Sequence, residues 1–598
     1  MPGDHNPWAT PLGIPDADAA RNALARIFIN ALTAAHTVGE QTAAPPQSLG
    51  FDLTDKAKAA MTFGLALATQ PHRLAAAQIK GWQEWVGLWG ATLQRLTGAE
   101  AAPVIEPERG DRRFSDPAWN SEPIFDHLKQ AYLLAGRQLN ELVDGAADLD
   151  PATRTRVSFM VRQYVDAVAP TNFAATNPAV IRRALETGGA NLLTGLANLL
   201  ADAASGRGLV ERRAADDFEL GVNIAATPGS VVFQNELFQL IQYAPTTETV
   251  ARRPLLYVPP LVNKYYLLDL QPKSSLLKWL VDQGRTVFAV SWVNPDASLR
   301  DKDLASYIVE GVAAAIMAVG EATGEPDVDL AAFCMGGTLA AATAAYLTAR
   351  GEGHRIGSLT LIGALLDFSE LGEWSVFTGE GDLRALDRTI TPKGYVESHD
   401  LQKLFSVMRA NDLIWSSVVN HYLLDKEAPA SDILFWFADG ARIPAAFLTS
   451  YGELLLTENR LREPGGLVVD GQALDLGQVK APVTLISLKD DHVSAWAATY
   501  AGALLFGGPA RFLLGGSGHN AGVINPPSAN KHGYWRNKAL PESPQAWMES
   551  AEKCAGSWWP EWDGWLAGLD EHKIAARPVG GGRLKPLEPA PGSYARVR

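Results

Sequence analysis

Cysteine is nearly absent: Cys334 and Cys554 are the only two in 598 residues. Two thiols cannot build a disulfide framework, and no Cys/His spacing of a zinc site accompanies them. Oxidative stapling and structural zinc are therefore excluded, and the chain reads as an intracellular protein with reduced thiols, needing no cofactor. A basic excess is missing too. Lysine and arginine total 52 against 66 acidic residues, a formal net charge of −14. Without a basic footprint, general nucleic-acid binding is excluded. The opening MPGDHNPWAT has neither a basic region nor an apolar run, so no secretory signal is read and a cytoplasmic location is expected. Long apolar runs are scarce as well. Residues 331–349 lack charge, but their Ala, Thr and Gly content and Cys-Met-Gly-Gly break favour a strand–turn–helix over a transmembrane segment.

What is present is ordinary globular material, 47% hydrophobic and 20% charged, enough for large folded domains. Residues 1–215 read as a mainly helical N-terminal domain. Apolar residues recur at helical spacing over 20–35, 123–142 and 153–167. Residues 190–204, ANLLTGLANLLADAA, predict an apolar helix whose Asn and Asp side seeks a partner. Proline-containing breaks at 45–46, 103–107 and 170–178 separate these elements. Beyond residue 254 the texture alternates between short β-rich runs and helices, the mark of an α/β fold with a parallel sheet. Strands are predicted at 255–258, 286–292, 328–333, 359–366, 483–488 and 511–514, with a helix at 275–283. A catalytic domain over 216–598 follows, interrupted at 368–481 by an aromatic-rich insertion expected to act as a lid. The Gly/Pro-rich tail after residue 569 is expected to lie extended on the surface.

The strand 328–333 runs into Cys334-Met335-Gly336-Gly337 and then a helix. A nucleophile held at a sharp strand-to-helix turn needs small neighbours, and the helix N-terminus favours its anionic form. Ala332 stands where glycine is usual. In an α/β-hydrolase fold the acid follows a late strand and the histidine follows the last one. Asp491 after 483–488 and His519 after 511–514 fit that order, and flanking glycines predict a flexible, accessible loop around His519. Asp490 and Asp367 remain rivals for the acid. His492 reads as a supporting residue, and Cys554 as a packed thiol in a Trp-rich segment. Oxyanion donors are expected at the amides of Met335 and Val262. Asn263, Lys264, His492 and Trp415 are expected to face substrate, with Lys264 a candidate to attract an anion.

These blocks resemble the polyhydroxyalkanoate synthases, specifically the single-subunit class I type. The resemblance runs from about residue 116 onward. It is carried by Asp116-Pro117-Ala118-Trp119, Pro170-Thr171-Asn172-Phe173, Asn263-Lys264-Tyr265-Tyr266, Asn294-Pro295-Asp296, Asn411-Asp412-Leu413-Ile414-Trp415, Asp491-His492 and Gly518-His519. It implies a catalytic Cys334, Asp491 and His519, selecting Asp491 over Asp490. It implies polymerisation of (R)-3-hydroxyacyl-CoA, chiefly 3-hydroxybutyryl-CoA, into polyester with release of CoA. It further implies a homodimer working at the granule surface of the growing polymer, the helical domain serving dimer or granule association. The alternatives of other classes are a Cys-dependent thioesterase or lactone hydrolase, and a granule-coat protein without activity.

Overall fold

A computed structural model describes residues 53–598 apart from 109, 147–148, 205–216 and 427–430. The predicted helix at 20–35, the break at 45–46 and the boundary at 215 lie outside the described residues. Two compact units emerge: residues 1–213 with 403–429, and residues 214–402 with 430–598.

The larger unit is built on an eleven-stranded sheet. In chain order its strands are β1 (Gly229–Gln234), β2 (Phe238–Tyr243), β3 (Leu255–Val258), β4 (Val287–Trp292), β5 (Val328–Phe333), β6 (Ile356–Ile362), β7 (Val483–Leu488), β8 (Ala510–Gly515), β9 (Tyr534–Arg536), β10 (Glu552–Cys554) and β11 (Glu588–Pro589). They lie in the order 10-9-8-7-6-5-3-4-2-1-11. Strands β4, β3, β5, β6, β7 and β8 are parallel, and antiparallel strands extend both edges. Every residue of β3, β4, β5 and β7 is buried, as parallel strands covered on both faces must be. Alternate residues feed two cores. Leu256, Phe288, Leu330, Leu361 and Leu485 point to one face, and Tyr257, Ala289, Ala331, Phe333 and Ile486 to the other.

Residues 331–349 form the end of β5, a turn and a fifteen-residue helix whose residues are mostly buried. Among the described residues one helical stretch, Leu304–Thr323, is long and apolar enough to cross a bilayer; more than half of it is buried within the fold.

The structure corrects four expectations. Strand β6 starts before residue 359, and it ends before 366 because Gly363 turns at φ 55°. The hairpin β1–β2 precedes the first strand predicted. The interval 368–481 is not one piece, since 403–429 belongs to the helical unit. Several of its aromatics, including Phe435, Trp436, Phe447 and Tyr451, fill the sheet's cores. Finally, the tail is partly built into β structure: β11 joins the sheet beside β1, and residues 573–575 pair with 249–251 in a separate two-stranded sheet.

The helical unit contains α1 (Leu53–Ala68), α2 (Pro71–Leu96), α3 (Pro123–Gly145), α4 (Pro151–Ala167), α5 (Pro178–Thr187) and α6 (Ala190–Ala204). Local sequence starts them: Asp150 caps α4 by accepting from the Thr153 amide, and Asn177 caps α5 through the Ala179 and Val180 amides. The predicted partner of α6 is the 418–423 segment. Asn191 donates to the Leu423 carbonyl at 2.7 Å, and the Tyr422 hydroxyl donates to Asp202 at 2.7 Å.

Candidate active site

Cys334 sits between β5 and the helix Met335–Ala349 with φ 54° and ψ −128°. That conformation is costly for a residue with a side chain, and such strain persists only where the surroundings enforce it. They do so here. The Cys334 amide donates to the Ile362 carbonyl at 2.8 Å. The next turn also lies so close to the loop after β3 that a Cβ on Gly336 would meet the Val258 and Pro259 carbonyl oxygens at 2.5 Å. The elbow therefore abuts the loop carrying Val262, and the Met335 amide opens the helix beside the thiol.

His519 follows β8, and its Nδ1 lies 2.6 Å from Asp491 Oδ2. The other Asp491 oxygen accepts from the Val493 and Ser494 amides at 2.8 and 2.9 Å, which fixes the carboxylate. The rival acids lie elsewhere. Asp490 is exposed, and Asp367 is engaged by Ser369, Asn459 and Arg462. Burial pulls the His519 pKa down, but the charges of Asp491 and Cys334 and hydrogen bonds to both outweigh it and raise the value to about 10. The structure thus links a half-buried Cys334 to the buried pair His519 and Asp491.

The loop around His519 is less accessible than its glycines suggested. His519 is buried. Its ring lies over Phe333, centroids 4.8 Å apart at 34°, and against Gly363, where a Cβ would come within 3.2 Å of the imidazole. Two indoles brace the loop from behind: Trp558 donates to the Gly522 carbonyl at 2.9 Å and Trp559 to the Val523 carbonyl at 3.0 Å. The Trp374 indole holds the acid loop by donating to the Val493 carbonyl at 3.0 Å. The C-terminal Trp cluster is visible in the sequence, but its task as a brace is not. A Trp-Trp pair in a short segment after the last predicted strand was the available signal.

The remaining candidates separate. Lys264 does not face an anionic substrate. It is buried, and its ammonium donates to the Ala595 carbonyl at 3.1 Å and to the Val597 carbonyl. Burial pulls its pKa below the ordinary lysine value, with Asp439 opposing and Arg598 adding to the effect. Asn263 Nδ2 is 3.4 Å from the Trp436 carbonyl. His492 is half-buried beside Asp491. Trp415 belongs to the helical unit, where it lines a cleft of about 1530 Å³ with Arg113, Asp116, Asp166, Asn172 and Arg409. Cys554 lies on the edge strand β10, its sulfur 3.9 Å from the Glu552 carbonyl. Among the described residues, no cluster of three or more His, Cys, Asp or Glu side chains could hold a metal.

Comparison with known proteins adds sequence relatives. Residues 110–280 match the family profile of the poly-beta-hydroxybutyrate polymerase (PhaC) N-terminus, and residues 266–526 match that of the alpha/beta hydrolase fold. The chain is similar to a poly(3-hydroxyalkanoate) polymerase of Methylorubrum extorquens, 43% identical over 531 residues that cover 88% of this chain and 87% of that protein. It is also similar to the poly(3-hydroxyalkanoate) polymerase subunit PhaC of Cupriavidus necator, 41% identical over 534 residues covering 88% of this chain and 89% of that one. Among solved structures, a monoacylglycerol lipase of Paleococcus ferrophilus matches with 16% identity and a TM-score of 0.30, covering 47% of this chain and 90% of that one.

Proposed function

Because the chain belongs to the poly(3-hydroxyalkanoate) polymerases, acyltransferases with an α/β-hydrolase fold, we propose that it polymerises (R)-3-hydroxyacyl-CoA, chiefly the 3-hydroxybutyryl thioester, through a Cys334–His519–Asp491 triad. The observation that carries this reading is the buried contact chain beneath a strained thiol. Cys334 attacks the thioester carbonyl, and His519, whose affinity for a proton is raised, takes the thiol proton. The carbon–sulfur bond to CoA breaks, and the proton passes from His519 to the departing CoA sulfur. Asp491, on the far ring nitrogen, fixes the tautomer and balances the imidazolium. The amides of Met335 and Val262 are assigned to the developing oxyanion.

A thiol suits the task better than a hydroxyl. Exchange of one thioester for another leaves the acyl group as activated as before, ready for attack by the 3-hydroxyl of the next unit. Water competes with that hydroxyl, so the burial of His519 and Asp491 favours transfer over hydrolysis. We assign the active form to a homodimer, located in the cytoplasm at the surface of polyester granules.

Incubation with 3-hydroxybutyryl-CoA, measuring released CoA and product size together, tests the reading. CoA release matched by long polyester is expected. CoA release with only free 3-hydroxybutyrate would replace it with a thioesterase, and no release at all with a protein lacking activity.

A further inference from the structure

Helix α2 leaves a row of large apolar side chains open to water. Ile79, Trp82, Val86, Trp89, Leu93 and Leu96 recur at intervals of three, four, three, four and three residues. Each is more than half exposed, Trp82 to 73%. Trp89 rests against His127 of α3, ring centroids 4.4 Å apart, and the rest of its surface stays open. The adjoining side of the same helix is already used: Leu88 and Thr92 are buried, and the Trp85 indole donates to Gln138 of α3 at 3.2 Å. The open row is thus additional to the face that holds α2 in its unit.

Its spacing says what kind of surface covers it. The alternation of three and four is that of a heptad seam between two helices, whose period is about 3.5 residues. A helix laid on a broad apolar surface needs the wider i, i+3, i+4, i+7 face. The borders of the row are Gln78, Gln83, Gly87, Gly90 and Gln94. Nearby charges are neutralised within the unit, Lys80 by Glu141 and Arg137 by Glu84. A row bordered without net charge meets no repulsion from its own image. Gly87 and Gly90 have nothing within 4 Å of where a Cβ would stand, so a second backbone can come close. Six side chains of this size present several hundred Å², the scale of the roughly 800 Å² that each partner buries in a standard interface.

We propose that α2 of one copy pairs with α2 of a second copy along this row, forming a two-helix coil between protomers. The contact is isologous, each protomer offering the same patch.

Scarce cysteine makes the test direct. In the full chain carrying Cys334→Ser and Cys554→Ser, the further change Val86→Cys leaves one thiol, on the row. Mild oxidation followed by non-reducing electrophoresis should convert most of the protein to a covalent dimer. Adding Trp82→Glu should cut that yield at least about tenfold with an unchanged circular dichroism spectrum. In a parallel chain, Lys58→Cys in place of Val86→Cys should cross-link poorly. Equal yields from the two positions would mean random collision and overturn the proposal. So would a Val86→Cys yield that falls to the Lys58→Cys level when poly(3-hydroxybutyrate) particles are added, with a blue shift in tryptophan emission: the row would then belong to the polymer surface. If deleting residues 1–52 is needed before Val86→Cys cross-links, the occupant is that segment and the proposal fails. None of these readouts depends on turnover.

Discussion

At the scale of single residues, His519 is held on four sides: by Asp491 at Nδ1, by Phe333 beneath, by Gly363 at the ring edge and by Cys334 beyond. Asp491→Asn should leave the fold intact and lower kcat by about 10⁴-fold, as loss of the orienting carboxylate does in other triads, checked by CoA release under saturating substrate. Gly363→Ala adds a methyl 3.2 Å from the imidazole at φ 55°. It should lower kcat by at least about tenfold with KM little changed, since the imidazole moves while substrate contacts stay. Cys554→Ser, on the edge strand, should be nearly neutral in both activity and stability. The three residues in chain order were legible in the sequence because the fold dictates which strand end carries which group. Asp491 could be told from Asp490 only through resemblance; geometry gives a physical ground, one carboxylate turned inward to two amides and a ring, the other outward. Phe333, Gly363, Trp558 and Trp559 were not legible as site residues, because they act by touching His519 or its loop and carry no reactive group.

At the scale of elements, close approach decides more than propensity. Helix α6 is docked so tightly that a Cβ on Gly195 would stand 1.7 Å from the Tyr422 carbonyl oxygen. Gly195→Ala should therefore cost at least about 1–3 kcal/mol, even though alanine is the better helix former. Denaturant unfolding would check this, and a neutral or stabilised variant would contradict the packing. The same scale explains what sequence patterning missed. Strand β2, FQLIQY, is buried throughout, but Gln239 and Gln242 break its apolar reading. Both amides are spent on the tail: Gln239 donates to Glu588 and Ser593, and Gln242 to the Pro578 carbonyl. A pattern rule sees two polar residues where the fold has two buried clasps. The parallel strands were legible because both their faces are apolar. The split of 368–481 between units was not, since nothing in local composition marks residues 403–429 as belonging with α6.

At the scale of the whole molecule, protonation of the triad reports on folding. A histidine whose pKa rises from 6.5 to about 10 on folding binds more proton in the native state between those values. Its contribution to stability is therefore fully present below pH 6.5 and is lost as pH rises toward 10. The melting temperature of the native protein should fall across that window more steeply than that of His519→Gln; parallel curves would refute the linkage. The two units share one chain that leaves the helical unit, builds six of the eleven strands, returns for residues 403–429 and leaves again. Residues 595–597 close the circuit by receiving the Lys264 ammonium from the loop that also carries Val262. Synthesis proceeds from the other end. A ribosome reaches Cys334, Asp491 and His519 well before it reaches the carbonyls that seat that loop, so a chain halted between them holds every reactive group yet lacks this clasp. Chains stopped before residue 595 should fold their sheet and release little CoA, as arrested-translation products assayed beside the full chain would reveal.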